Sequence, residues 1–201
     1  MGTRNLTMVY SNGEYKVAQY GQWDGYPEGL GCDLLNFLRV HGVADLKLAI
    51  EGCTYLSNNE LYDIYKQNDW LRKYPELSRD TCGEIVDLIA FKNKRKLCNS
   101  INFAADGSCG WAYVIDLDKN TFEVYAGYNT EPLDKTERFE FLMPISQQMN
   151  EEVNRTITNP SYKYEYYPVK FVVEYDLDNL PENDVFINQV NKLTCEEDGE
   201  E

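Results

Sequence analysis

Residues 20 to 31 read Tyr20-Gly21-Gln22-Trp23-Asp24-Gly25-Tyr26-Pro27-Glu28-Gly29-Leu30-Gly31, placing four glycines, three aromatics, two carboxylates and an amide in twelve positions. Glycine at that density lets a backbone turn tightly or approach another group closely, while Tyr20, Gln22, Trp23, Asp24, Tyr26 and Glu28 offer hydrogen-bonding and stacking groups. That is the chemistry of recognition, suited to a small polar ligand or a protein partner. The spacing is neither G-x-G-x-x-G nor a phosphate-binding Walker loop, so it carries no nucleotide motif. Arg4 adds a guanidinium that could grip a carboxylate or phosphate bidentately, although a structural ion pair with Asp24 or Glu28 is the favoured reading. A second glycine-bearing turn, Asp106-Gly107-Ser108-Cys109-Gly110-Trp111, could face the first across a cleft and bring Trp111 into the same site.

Catalytic sets are incomplete. His41 is the only histidine, and it stands one residue before Gly42, where a helix end explains it. Cys109 or Thr3 could act as a nucleophile with Asp24 as acid or base, yet no neighbouring base is visible in the sequence. The six cysteines are scattered without a C-x-x-C pair, which argues for reduced thiols and against a zinc site. No cofactor is implied. Ser78-Arg79-Asp80-Thr81 reads first as a helix cap, and the basic run Lys92 to Lys96 as a helix end complementing its dipole.

The elements that must position these groups follow from pattern. Leu6–Tyr10 and Tyr15–Tyr20 alternate as strands around Ser11-Asn12-Gly13-Glu14, a strong hairpin signal. The glycine-rich segment leads into a helix over Cys32–Val40, followed by a short helix from Val43 to Ile50. Two short helices are predicted over Glu60–Lys66 and Asp69–Tyr74, then a longer one from the Ser78 or Asp80 cap to Phe91. Beyond residue 100 the pattern turns to strands: Ile101–Ala105, Trp111–Asp116, Thr121–Ala126, Phe139–Leu142, Tyr162–Tyr167 and Val169–Tyr175, with a closing helix over Glu182–Leu193. Strands, then helices, then strands predict an α+β fold: a mostly antiparallel sheet that starts with an N-terminal hairpin and has helices packed on it. Residues 1–194 form one predicted domain, and 195–201 a disordered acidic tail.

The formal net charge is −15, and it is uneven: residues 1–100 carry 12 basic and 13 acidic groups, residues 101–201 carry 7 and 21. Such a surface repels nucleic acid and anionic membranes and favours solubility or a basic partner. No apolar run approaches a membrane span, and no basic-then-apolar leader opens the chain, so a cytoplasmic protein is the expectation.

The runs Gly2-Thr3-Arg4-Asn5-Leu6-Thr7, Val17-Ala18-Gln19-Tyr20-Gly21-Gln22-Trp23-Asp24-Gly25-Tyr26-Pro27, Leu77-Ser78-Arg79-Asp80-Thr81 and Trp111-Ala112-Tyr113-Val114-Ile115-Asp116-Leu117-Asp118 resemble an uncharacterised family of phage, bacterial and fungal proteins. The likeness covers roughly residues 2–126. It implies no activity of its own; a phage-like setting would imply an accessory or host-interaction factor. The layout is also similar to that of N-terminal nucleophile hydrolases, which use a free N-terminal Ser, Thr or Cys. Here removal of Met1 exposes Gly2, leaving Thr3 acylated and without its own α-amine as base. Three functions are therefore in play: a binding module using the Tyr20–Gly31 segment, an amide hydrolase, and an acidic inhibitor that mimics nucleic acid through residues 101–201.

Overall fold

Asn12 (φ 54°) and Gly13 (φ 78°) both occupy the left-handed region that a tight hairpin turn requires. They join β1 (Asn5–Ser11) to β2 (Glu14–Gly21) in antiparallel register in the computed structural model, which describes residues 2–159 and 162–197. A single π-type turn over Pro27–Gly31 then feeds α1 (Cys32–His41), which ends at Gly42 (φ 66°) with the Gly42 N–H on Leu38 O at 2.8 Å. Next come α2 (Ala44–Ile50), β3 (Thr54–Tyr55), α3 (Asn58–Tyr65) and α4 (Trp70–Lys73). A capping box between Ser57 and Glu60 starts α3.

The helix expected from Ser78 or Asp80 starts later, as α5 (Ile85–Lys92). Ser78 Oγ accepts the N–H of Asp80 at 3.1 Å in a local turn instead of capping a helix. Cys82 then takes a left-handed φ of 45°, which breaks the path before a 3₁₀ turn at Cys82–Glu84. Beyond α5, β4 (Lys96–Leu97) pairs in parallel with β3, a contact that no local pattern announced.

β5 (Trp111–Asp116) and β6 (Thr121–Ala126) form the expected second hairpin, with the Asp116 carboxylate accepting the N–H groups of Asp118 and Lys119. Three strand expectations fail. Ile101–Ala105 is a 3₁₀ helix, with Asn99 Oδ1 accepting the Ile101 N–H and Ser100 O accepting that of Phe103. Phe139–Leu142 turns as 3₁₀ into a further helix, α6 (Met143–Asn154). Tyr162–Tyr167 joins no sheet; the backbone of Tyr164 and Tyr166 is paired by side chains of α6, and the Tyr167 N–H donates to Asn129 O at 2.8 Å. The Asn154 amide exchanges both hydrogen bonds with Tyr164, and the Asn150 amide does the same with Tyr166, at 2.7 to 3.1 Å. Asparagine at i and i+4 thus presents peptide-like groups to alternate residues of an extended segment.

β7 (Lys170–Asp176) and α7 (Asn183–Glu197) complete the chain. Helix α7 absorbs Cys195 to Glu197 of the expected tail; residues 198–201 lie outside the described residues.

The five-stranded sheet has the order β2-β1-β5-β6-β7, antiparallel except where β1 meets β5. Alternation along the strands gives each face its own core. One face carries Val9, Val17, Tyr113, Ile115, Phe122 and Val124 against α1, α2, α5 and α7. The other carries Leu6, Met8, Ala112, Val114 and Tyr125 against Ala104, Phe139 and Leu142. The α+β fold with a mostly antiparallel sheet is therefore as the sequence predicted.

Candidate functional site

The first face has a polar end. Asn5, Thr7 and Gln19 point into it and are buried, and among the described residues Asn5 Oδ1, Thr7 Oγ1 and Gln19 Oε1 have no hydrogen-bond partner. Their donors hold the segments that roof them: Asn5 Nδ2 donates to Trp23 O at 2.8 Å, and Gln19 Nε2 to Ser78 O at 2.9 Å. A Cβ on Gly21 would lie 2.2 Å from Asn5 Oδ1 and 2.8 Å from Cys82 Sγ, so only glycine lets these three strands of chain meet. Tyr113 adds an O–H bond of 2.9 Å to Gly25 O from within the core. The glycine-rich segment is thus fastened to the sheet end from below.

Above this floor lies a cleft of about 270 Å³ lined by Trp23, Asp24, Leu30, Asp33, Asp80, Thr81, Cys82, Gly83 and Glu84. Trp23, 46% exposed, is steered by its indole N–H, which donates to Asp80 Oδ1 at 2.8 Å. Cys82 Sγ sits 3.5 Å from Trp23 O and 3.8 Å from Arg79 O. Four carboxylates surround the opening. Among the described residues Asp24, Asp33 and Glu84 form no ion pair; Asp80 has Arg79 at 4.0 Å. A second groove of about 420 Å³ shares Asp33, Gly83 and Glu84 and runs along α1 to His41. There the imidazole packs against Phe37 and Phe91, at ring separations of 5.3 and 4.8 Å.

The residues singled out from sequence fall into three places. Trp23 and Asp24 line the cleft. Tyr20 and Gln22 are joined by a 2.6 Å bond from the Tyr20 hydroxyl, and the Tyr20 ring packs on Phe103 at the opposite face. Burial raises the Tyr20 phenol above its usual value, and the nearby charges of Arg4 and Arg79 oppose that rise. Arg4 is therefore beside Tyr20, and among the described residues it forms no ion pair with Asp24 or Glu28, contrary to expectation. Tyr26 is 56% exposed outside the cleft lining, and Glu28 accepts from Asn191 Nδ2 of α7 at 3.1 Å. Trp111 is half-buried against the first core.

Family models, curated proteins and solved structures return no match to this chain. Its chemistry has to come from the side chains themselves. Cys109 is fully buried with its thiol on Trp111 O, and desolvation drives its pKa well above the ordinary thiol value, which removes it as a nucleophile open to solvent. Thr3 is also buried, and its carbonyl accepts the Gly25 N–H. Among the described residues no group of three or more His, Cys, Asp or Glu side chains could hold a metal ion, and no helix is long and apolar enough to cross a membrane.

Sequence reasoning missed Asp33, Cys82 and Glu84, and read Asp80 first as a cap. Only the Ser78-Arg79-Asp80-Thr81 run gave a local signal; the other three reach the cleft through long-range packing.

Proposed function

We propose that this chain is a binding module whose cleft at Trp23, Asp24, Asp80 and Glu84 receives an organic cation, an ammonium or guanidinium group carried by a small polar ligand or by a basic side chain of a protein partner. The observation that carries the reading is a half-exposed indole ringed by four carboxylates, three of them without a cation from the described chain. A cation over an indole face gains about 0.5–1 kcal/mol at an exposed site, more when desolvated. Each nearby carboxylate adds a charge-assisted hydrogen bond. The glycines supply no chemistry; they let the segment sit tightly on Asn5 while Trp23 reaches over the opening.

Titration calorimetry with spermidine and with an arginine-containing tripeptide tests this and separates the two sources. Binding is expected to fall at least tenfold in a variant combining Trp23→Ala, Asp24→Asn and Glu84→Gln. A control neutralising Glu151 and Glu152 of α6 should bind as the parent does. Equal loss in both variants would reduce the effect to general surface charge and overturn the proposal.

A further inference from the structure

The strand order leaves β7 at one margin of the sheet. Among the described residues β7 pairs with β6 alone, and beyond that ladder the backbone of residues 171–176 receives one hydrogen bond, from the Asn179 N–H to Asp176 O at 3.0 Å. The Leu177 N–H donates to Asn120 O at 3.0 Å, which sets the phase of the ladder. Residues two apart in an antiparallel ladder bond to the same side. Tyr175 and Val173 therefore turn their N–H and C=O toward Phe122 and Val124, and Glu174 and Asp176 turn theirs outward. A register shift between Val124 and Tyr125 ends this regular stretch at Val173.

The side chains divide in the same way. Glu174 and Asp176 are exposed and lie on the face shared by their partners Glu123 and Thr121. Val173 and Tyr175 lie on the other face, against the first core. No lysine interrupts residues 171–176, although lysine is a common guard of such edges. A second copy fits poorly. Antiparallel self-pairing about Glu174 sets Glu174 against Glu174, and pairing about Tyr175 sets Glu174 against Asp176. Pairing about Val173 runs each strand into the other's irregularity, and the net charge of −15 opposes all three.

We propose that the outer edge of β7 is a docking site for an extended segment of a partner protein in which basic and apolar residues alternate, added to the sheet as a further strand. Its backbone pairs with the N–H and C=O of Glu174 and the N–H of Asp176, its basic side chains lie over their carboxylates, and its apolar side chains continue the face of Val173 and Tyr175.

The probe is a labelled six-residue peptide alternating lysine and valine, with a glutamate-valine peptide as comparison, read by fluorescence anisotropy. The protein carries Trp23→Ala and Asp24→Asn so that the cleft does not contribute. The lysine peptide is expected to bind at least tenfold more tightly than the glutamate peptide. Glu174→Lys with Asp176→Lys should reverse that preference. Glu174→Pro, which removes an outward N–H and spares the bonds to β6, should abolish binding of both. Circular dichroism checks that the proline variant is folded; if it is not, the charge reversal decides alone. Lysine-peptide binding unchanged by the charge reversal would overturn the proposal, as would self-association of the unliganded protein that Glu174→Pro abolishes.

Discussion

The indole N–H of Trp23 meets Asp80 Oδ1 at 2.8 Å, and one residue earlier the Gln22 N–H meets Arg79 O at 3.0 Å. Two neighbouring residues of the glycine-rich segment are thereby tied to two neighbouring residues of the Leu77–Thr81 run. The tie joins the cleft's two walls and gives Asp80 two duties: it orients the ring and supplies charge.

Those duties separate in Asp80→Asn, which keeps an acceptor for the indole and removes the charge. Cation affinity in the cleft should fall two- to fivefold, the equivalent of about 0.5–1 kcal/mol for an exposed charge. Asp80→Leu also frees the indole and should cost more. Calorimetry alongside acrylamide quenching of tryptophan emission reads the two effects apart; quenching and affinity unchanged from the parent in both variants would show that Asp80 does neither.

Gly21→Ala should destabilise the protein by about 1–3 kcal/mol, the usual range for forcing atoms into a packed site. The new Cβ would lie 2.2 Å from Asn5 Oδ1, and Asn5 cannot retreat without releasing its bond to Trp23 O. Adding Asn5→Ala should restore part of the loss in urea unfolding. A double variant that is additive within error would place the clash elsewhere.

What the sequence disclosed was local. Asn12-Gly13 and Gly42 were legible because their positive φ is a property of the residues themselves, and the β5–β6 hairpin because alternation and its turn agree. Tyr162–Tyr167 also alternates, but alternation does not say what the backbone will pair with, and here the partner is two asparagine side chains. Helix α6 was invisible because Gln147 to Glu152 give it only a thin apolar stripe. Trp23 and Asp24 could be picked out as a segment, whereas Asp33 and Glu84 look like ordinary helix surface until α1 and the Cys82–Glu84 turn face each other.

Glu76 makes a pH prediction. It is buried, and desolvation raises its carboxyl above the ordinary value even with Lys94 Nζ 3.8 Å away. A raised folded pKa means a contribution that is full below the unfolded carboxylate pKa and is lost as pH rises through the folded one. Glu76→Gln should therefore be more stable than the parent at neutral pH, with the advantage vanishing as pH falls below the unfolded carboxylate pKa. Thermal unfolding across that range measures it. A variant less stable at neutral pH would mean that the Lys94 pair outweighs burial.

The pairing of Asn154 with Tyr164 should hold the extended segment against α6. Asn154→Leu leaves a part-buried backbone N–H and C=O without their partners, at a cost of about 1 kcal/mol, the low end of the range for buried groups. Trypsin should then cut after Lys163 faster than in the parent, by mass spectrometry of timed digests. Unchanged cleavage would mean that the Asn150 pair suffices.

The largest single effect should come from Arg138, whose guanidinium reaches both Asp116 and Glu123 within the second core. The two carboxylates are each 1% exposed and the arginine side chain 11%. Arg138 Nη2 lies 2.7 Å from Glu123 Oε1, the Tyr125 hydroxyl donates to Glu123 Oε2, and the Tyr10 ring lies under the guanidinium at 4.9 Å. Burial alone would lower the arginine's pKa, but the two carboxylates overcome that and raise it, so it stays charged. Removing one partner of a buried ion network strands the others, at about 3–5 kcal/mol, whereas replacing the whole network is often close to neutral. Arg138→Met should therefore cost several times more than the triple variant Arg138→Met, Asp116→Asn, Glu123→Gln, in which Asp116→Asn still accepts the turn N–H groups. Urea unfolding measures the difference, and a single variant costing under about 1 kcal/mol would show that these carboxylates are solvated without their arginine.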